Sequence, residues 1–277
     1  MKSSAIIRII IFSIVIVLLL GILFTGLGVG KLSFNIDLSH NDYITGNGSV
    51  SAANIDSIKI EWAAGNIKIV TAKTDTIRFT ESYSGSAEHA MVYATSGKTL
   101  KICYSKPAIQ IGIISTPNKD LTITVPESWT CRELSIDSAS TQTDIENLSI
   151  QEIDIDSASN TFRISNCKIG QMDIDGASNS VQLTGTLEVL DSDGMSNHIV
   201  ANLMNTPSSI DLDGMSTVLD ITLPAGSGFS AKMDGLSCQF DSDFSYNVIN
   251  DHYTCGDGLC KIQADGMSCD IYIRKGE

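Results

Sequence analysis

The segment Leu134–Ser140, Leu-Ser-Ile-Asp-Ser-Ala-Ser, returns 19 residues later as Ile153–Ser159, Ile-Asp-Ile-Asp-Ser-Ala-Ser, and after another 19 as Met172–Ser178, Met-Asp-Ile-Asp-Gly-Ala-Ser. The phrase continues as SDGMS at 192–196, LDGMS at 212–216, MDGLS at 233–237 and ADGMS at 264–268. Its aspartates are Asp137, Asp156, Asp175, Asp193, Asp213, Asp234 and Asp265, spaced by 19, 19, 18, 20, 21 and 31 residues. A fixed period in this range marks a repeat architecture, in which no unit buries its apolar face alone and neighbours stack into one core.

The flanking columns say what each unit is made of. One and three residues before the aspartate stand Ile136, Ile155, Ile174, Leu212 and Met233, then Leu134, Ile153, Met172, Leu190, Ile210 and Ile262. Six and eight residues after it stand Phe162, Val181, Ile199, Leu219, Phe240 and Ile271, then Ile145, Ile164, Leu183, Ile221 and Ile273. Alternation with period two on both sides of a corner is the pattern of strands, and no 3.6-residue period competes with it. Each unit therefore reads as strand, tight corner and strand, with a third short stretch such as Leu148 and Ile150 closing the coil. Coils related by a fixed period pair in parallel, and parallel crossovers are right-handed. The expected fold is all-β: a right-handed, single-stranded parallel β-solenoid over residues 55–277, with regular coils of about 19 residues from 131 onward. Residues 55–130 are expected to hold an opening coil (Ile58, Ile60, Glu61, Ala63, Ile67, Ile69) followed by irregular strands. The column two residues after the aspartate (Ala139, Ala158, Ala177, Met195, Met215, Leu236, Met267) reads as an inward corner, followed by Ser in every coil.

Ahead of this lies Ile9–Val29, 21 residues without a charge, with Lys2 and Arg8 on its N-terminal side. That length suits a bilayer core, and the flanking cations place the N-terminus in the cytoplasm. Residues 1–30 thus read as a cytoplasmic start and transmembrane helix. A cleaved signal peptide with Thr25-Gly26-Leu27-Gly28 as its site is the alternative. Residues 31–54, rich in Asn, Ser, Gly and Asp, read as a polar stalk. The expected localisation is the cell membrane, single-pass, with the C-terminal domain extracytoplasmic.

The chain carries 18 basic and 32 acidic residues, a net charge of −14. Lys2, Arg8 and Lys31 all precede the first acid, Asp37, so the solenoid is more acidic than the total suggests. Such a domain repels nucleic acid and anionic headgroups and suits cationic partners, metal ions or neutral glycans. Four coils carry a second aspartate two residues before the first, giving the pairs Asp154/Asp156, Asp173/Asp175, Asp191/Asp193 and Asp211/Asp213. Both members point outward, so stacked strands ~4.8 Å apart would form a flat patch of carboxylates. Two unit charges at that spacing repel by roughly 0.9 kcal/mol in water. Solvation, raised carboxylate pKa values or weak binding of Ca²⁺ or another cation would relieve the strain. A glycosidase needs two carboxyls roughly 5–9.5 Å apart, one with a raised pKa. The patch offers such distances many times over, without a singular pair or an aromatic row to hold a sugar.

Seven cysteines are present. Cys238 and Cys269 each lie four residues after a repeat aspartate, in the column otherwise filled by Thr141, Asn160, Asn179, Asn197 and Thr217. In-register parallel neighbours fall within disulfide reach, so a Cys238–Cys269 bridge is expected on the last two coils. Cys255 and Cys260, within the long 31-residue spacing, are candidates for a second, local bridge. A zinc site from His252, Cys255, Cys260 and one of Cys238 or Cys269 is the rival reading. Cys167 reads as a buried free thiol, and Cys103 with Cys131 as a pairing that spacing leaves open. The four histidines are scattered, no catalytic triad or phosphate loop is visible, and Trp62 and Trp129 read as core caps.

The amphipathic opening coil, the irregular strands, the run Asp120–Pro126 (DLTITVP) and the short Ser/Gly corners together resemble the bacterial "putative adhesin" β-solenoid family, domain of unknown function 4097, over residues 55–277. Many members carry Ser-Gly-Asp corners where this chain has Asp-Ser/Gly-Ala/Met-Ser, so no site residue carries over. The resemblance implies a bacterial cell-surface or envelope-associated protein, adhesive or linked to envelope stress. The functional expectation is a non-enzymatic, membrane-anchored extracytoplasmic module without cofactor, whose partners are cell-wall glycans, cations or envelope proteins. The alternative is a polysaccharide-active enzyme, hydrolase or lyase, using the stacked aspartates.

Overall fold

In the computed structural model, which describes residues 43–83, 85, 90–105 and 117–276, the apolar columns become buried rows. Ile136, Ile155, Ile174 and Leu212 form one row, and Ile145, Ile164, Leu183, Ile221 and Ile273 another, all within the core. The strands, in chain order, are β1 (Ile44–Thr45), β2 (Gly48–Ser51), β3 (Ser57–Ala72), β4 (Thr76–Ser82), β5 (Val92–Ser96), β6 (Thr99–Cys103), β7 (Lys119–Pro126) and β8 (Thr130–Glu146). They continue with β9 (Ser149–Leu203), β10 (Ser209–Leu223), β11 (Phe229–Met233), β12 (Ser237–Ser242), β13 (Asn247–Ile249), β14 (His252–Cys255) and β15 (Cys260–Lys275). β9 is extended chain that winds through successive coils. Its corners use residues that accept a left-handed backbone: Asn166 (φ 54°) and Gly185 (φ 136°) fall in the same column as Asn147 (φ 60°) of the preceding coil. At Gly185 a Cβ would also lie 2.0 Å from the Cys167 carbonyl oxygen, so only glycine fits there.

The coils pair in parallel with the aspartates in register. Glu61 pairs Asp137, Asp137 pairs Asp156, and Asp193 pairs Asp213, which pairs Asp265. A second buried row runs along this stack. Asn179 Nδ2 donates to Asn197 Oδ1 at 3.3 Å, Asn197 Nδ2 to Ser192 Oγ at 2.9 Å, and Asn160 Nδ2 to Ser138 Oγ at 3.0 Å. These asparagines are buried, and each finds a polar partner on its own or an adjoining coil, as buried amides must.

The stacking order departs from the chain order at the distal end. β15 lies between β10 on one side and β11 with β12 on the other. The C-terminal strand is therefore an interior strand with both edges paired, and the coil formed by β11 and β12, earlier in sequence, lies outside it. The 31-residue spacing is the chain's route past the inserted position: out through β11 and β12, back through the β13–β14 hairpin, which pairs β11 antiparallel, and then in.

The expected fold is corrected here. Over the described residues the coil is not wholly parallel. Both ends are closed by antiparallel strands: β1, β2, β4 and β5 at one end, β13 and β14 at the other. For the β5–β6 and β13–β14 hairpins the cause is turn chemistry. Asn250 and Asp251 both take positive φ (50° and 57°), and Gly97 takes φ 58°, between strands two residues apart. Two-residue loops of this kind join only antiparallel neighbours. The described residues contain one short helical turn, Ala52–Asn54, and no helix long and apolar enough to cross a membrane. Residues 1–30, where the anchor is expected, and 31–42 of the expected stalk lie outside the described residues. Within the expected stalk, Ile44–Thr45 and Gly48–Ser51 pair into the sheet as β1 and β2. β2 fits because Gly48 leaves room for the Phe79 and Tyr93 rings, either of which a Cβ would meet within 2.8 Å. Nor is the opening coil outermost, because β6 and β7 pair along its outer edge.

Candidate functional site: the carboxylate ladder

Two outward columns run side by side along the stack. The column of the repeat aspartate begins at Cys103 and Glu61 and continues through Asp137, Asp156, Asp175, Asp193, Asp213 and Asp265. Two residues upstream the column reads Lys101, Lys59, Ser135 and Asp154, and farther along Asp191, Asp211, Gln263 and Lys232. Asp173 lies between Asp154 and Asp191 and bears on the charge of both. The strip is thus anionic in its middle coils and bounded by lysines. Lys59 pairs Asp137 at 2.8 Å, Lys101 pairs Glu61 at 2.7 Å, and Lys232 pairs Asp234 at the far end.

The ladder perturbs its own members. Asp175, at its centre, is pushed up to about 6, first by partial desolvation and then by Asp193 and Asp156. Asp154, Asp156 and Asp191 are raised for the same two reasons, desolvation leading and neighbouring carboxylates following. A carboxylate whose folded pKa is raised binds its proton more tightly in the native state. Its stabilising contribution is complete at low pH and is lost as pH climbs through the folded value. For Asp175 the loss develops between about 4, the unfolded value, and about 6. Asp175→Asn is therefore expected to raise Tm at pH 7.5 and to leave it unchanged at pH 4. The shift would be worth about 3 kcal/mol in a dry site. Asp175 is exposed, and screening reduces this to about 1 kcal/mol, a gain of roughly 2–4 °C. Thermal unfolding followed by circular dichroism at the two pH values measures it; a lower Tm at pH 7.5 would show the carboxylate to be stabilising.

Among the described residues no group of three or more His, Cys, Asp or Glu side chains is gathered as a metal site. A flat ladder explains this: its carboxylates spread along a plane, whereas Ca²⁺ takes six to eight oxygens around a centre. The zinc reading fails on the same ground. Cys255 and Cys260 are both register partners of Phe229, on its opposite sides, so they stand two strand spacings (~9.6 Å) apart. That exceeds disulfide reach, and no local bridge forms. Cys238 and Cys269 are register partners, and both are free thiols, the Cys269 thiol pushed up to about 12 by burial and by Cys238 beside it. Cys167 is buried and free, while Cys103 and Cys131 are free and pair in register with Glu61 and Ile150.

Two features escaped the sequence. The corner column is not inward: Met195, Met215, Met267 and Leu236 are 53%, 48%, 54% and 87% exposed. The second is Lys119, whose side chain has no exposure. Its Nζ stands 2.8 Å from Glu81 Oε1 and 3.9 Å and 4.8 Å from the ring centroids of Tyr104 and Tyr83. Trp62 closes the box with its indole N–H on the Lys119 carbonyl at 3.2 Å. Glu81 Oε2 accepts the Met91 amide at 3.0 Å, while Oε1 faces the ammonium without a directed hydrogen bond. A lysine beside the Pro117-Asn118 turn carries no sequence signal of burial, because the groups that enclose it lie 15 to 57 residues away.

The description Toastrack DUF4097 matches residues 55–233 of the chain. No curated protein matches it. Among solved structures, a "putative cell adhesion protein" from Clostridium sporogenes is 13% identical, with 85% of this chain and all of that one covered and a TM-score of 0.39. A "putative adhesin" from Bacteroides fragilis is 14% identical over 83% of this chain and 97% of that one, at a TM-score of 0.46. A "putative lipid binding protein" from Parabacteroides distasonis is 9% identical over 86% and 98%, at 0.37.

Proposed function

The chain belongs to the Toastrack DUF4097 family, and from that premise we propose that it is a non-enzymatic, adhesin-like binding module that presents its carboxylate ladder to cationic partners. The observation that supports this most is the run of register-paired aspartates from Asp154/Asp156 to Asp211/Asp213, which no lysine of the same columns interrupts. A binding face gains from repetition, because each coil adds another attractive charge. An active site needs one acid and one base in distinct surroundings. The raised pKa of Asp175 is the feature that would favour the glycosidase alternative, but it follows from a central place in the ladder and is shared in kind by Asp154, Asp156 and Asp191.

The test compares poly-lysine with poly-glutamate on the purified full chain. Poly-lysine is expected to bind, with an affinity that falls steeply as salt shortens the Debye length. Replacing Asp173, Asp175, Asp191 and Asp193 by Asn is expected to weaken binding at least tenfold without lowering Tm. Unchanged affinity in that variant would remove the ladder from the binding role. Cleavage of any glycan that Asp173→Asn or Asp175→Asn abolishes would replace this reading by the enzymatic one.

A further inference from the structure

Beside the repeat aspartates, at the corner of each distal coil, an apolar side chain stands where solvent reaches it. In stacking order these are Met195, Met215, Met267 and Leu236, all about half exposed or more. The corners of the proximal coils carry Ala139, Ala158 and Ala177 in the same column, so the large apolar residues are confined to one end. An exposed methionine or leucine gains nothing from facing water, and four in a continuous row are more than scattered exposure produces. Methionine is flexible and polarizable, a side chain suited to surfaces that accept an apolar partner.

We infer that this row and the aspartates flanking it form a docking surface for a basic amphipathic α-helix of a partner protein. The inference rests on the cationic-partner reading above and narrows it. Charge selects the partner's sign along most of the row: Met195, Met215 and Met267 each lie two residues from a repeat aspartate, whereas the aspartate beside Leu236, Asp234, is paired by Lys232. Pitch selects its conformation. Adjacent coils are ~4.8 Å apart, so the row advances ~14 Å from Met195 to Leu236. A helix laid along it advances 5.4 Å per turn and presents an apolar residue each turn at i, i+4, i+7 and i+11, covering ~16 Å. An extended strand along the same line repeats its side chains on one face every ~6.8 Å and falls out of step within two coils. Basic residues along one flank of the helical stripe would then lie over the carboxylates.

The probe is a synthetic 14-residue peptide with leucines at positions 1, 5, 8 and 12 and lysines along one flank. A scrambled peptide of equal composition serves as control, and both are titrated against the full chain by fluorescence anisotropy at 0.15 M salt. The patterned peptide is expected to bind at least tenfold more tightly than the scramble and to gain helicity when bound. Met195→Ser/Met215→Ser/Met267→Ser is expected to weaken the patterned peptide at least tenfold with Tm unchanged, since the side chains are exposed. Met215→Lys, which places a cation in the row, is expected to do the same. Equal affinity of the two peptides, or indifference to both variants, would overturn the helix surface while leaving the anionic face standing. Binding of neither peptide, and of poly-lysine not at all, would overturn both.

Discussion

A chain ending at Leu259 is expected to lose the cooperative fold of its distal half, not one terminal coil. The segment removed is β15, which pairs β10 along one edge and β11 and β12 along the other. It contributes Ile262, Ile271 and Ile273 to the core, with Cys260, Ala264 and Cys269 beside them. Losing a buried isoleucine costs on the order of 2–5 kcal/mol. Three such losses approach the roughly 5–15 kcal/mol by which a whole domain is stable. The outer coil then faces a gap, because β11 and β12 have no direct pairing with β10 to fall back on. Thermal unfolding should show a Tm lowered by more than 15 °C or no cooperative transition, and hydrogen exchange should show amides of β11 and β12 unprotected. A sequential stack would predict a small loss, with 209–242 still protected.

Breaking the Lys119–Glu81 pair is expected to have the second largest effect. Both groups are withdrawn from water, and removing one partner leaves the other charge buried and uncompensated, at a cost of about 3–5 kcal/mol. Lys119→Met and Glu81→Gln should each lower Tm by roughly 10 °C. The double variant should recover most of the loss, because methionine still fills the space among Trp62, Tyr83 and Tyr104, and glutamine can still accept the Met91 amide. A double-mutant cycle on thermal unfolding measures the coupling. Simple additivity would mean that the two side chains act independently and that the aromatic box alone holds this part of the sheet.

What the sequence made legible was equivalence. The period assigned Ile136, Ile155 and Ile174 to one row and the aspartates to another, because a strand's side chains alternate and stacked coils repeat. Glu61 could be placed opposite Asp137 from pattern alone. Equivalence does not fix order. Nothing in ADGMS at 264–268 says that it stacks on LDGMS at 212–216 instead of MDGLS at 233–237, since all three carry the same Asp-Gly-apolar-Ser phrase. The sign that order breaks is the 31-residue spacing, and the Asn250-Asp251 turn inside it signals the hairpin that makes the detour. The corner methionines carry the apolar character of buried residues but stand in solvent. At a corner two consecutive residues face outward, and the alternation that identifies strands no longer applies. Lys119 escaped because its enclosure is assembled from β3, β4 and the segment after β6, with no local pattern in any of them.

The central claim is that the repeat aspartates lie over one another on adjoining coils. Disulfide trapping tests it most directly. Asp175→Cys/Asp193→Cys places thiols on neighbouring coils, within the ~4.4–6.8 Å Cα window a disulfide allows. Asp175→Cys/Asp213→Cys places them two coils apart, at ~9.6 Å. Under mild oxidation of the folded protein, intact mass after alkylation is predicted to show the first pair bridged and the second carrying two alkyl groups. A second pair that bridges as readily as the first, or a first pair that stays reduced, would contradict the stacked ladder.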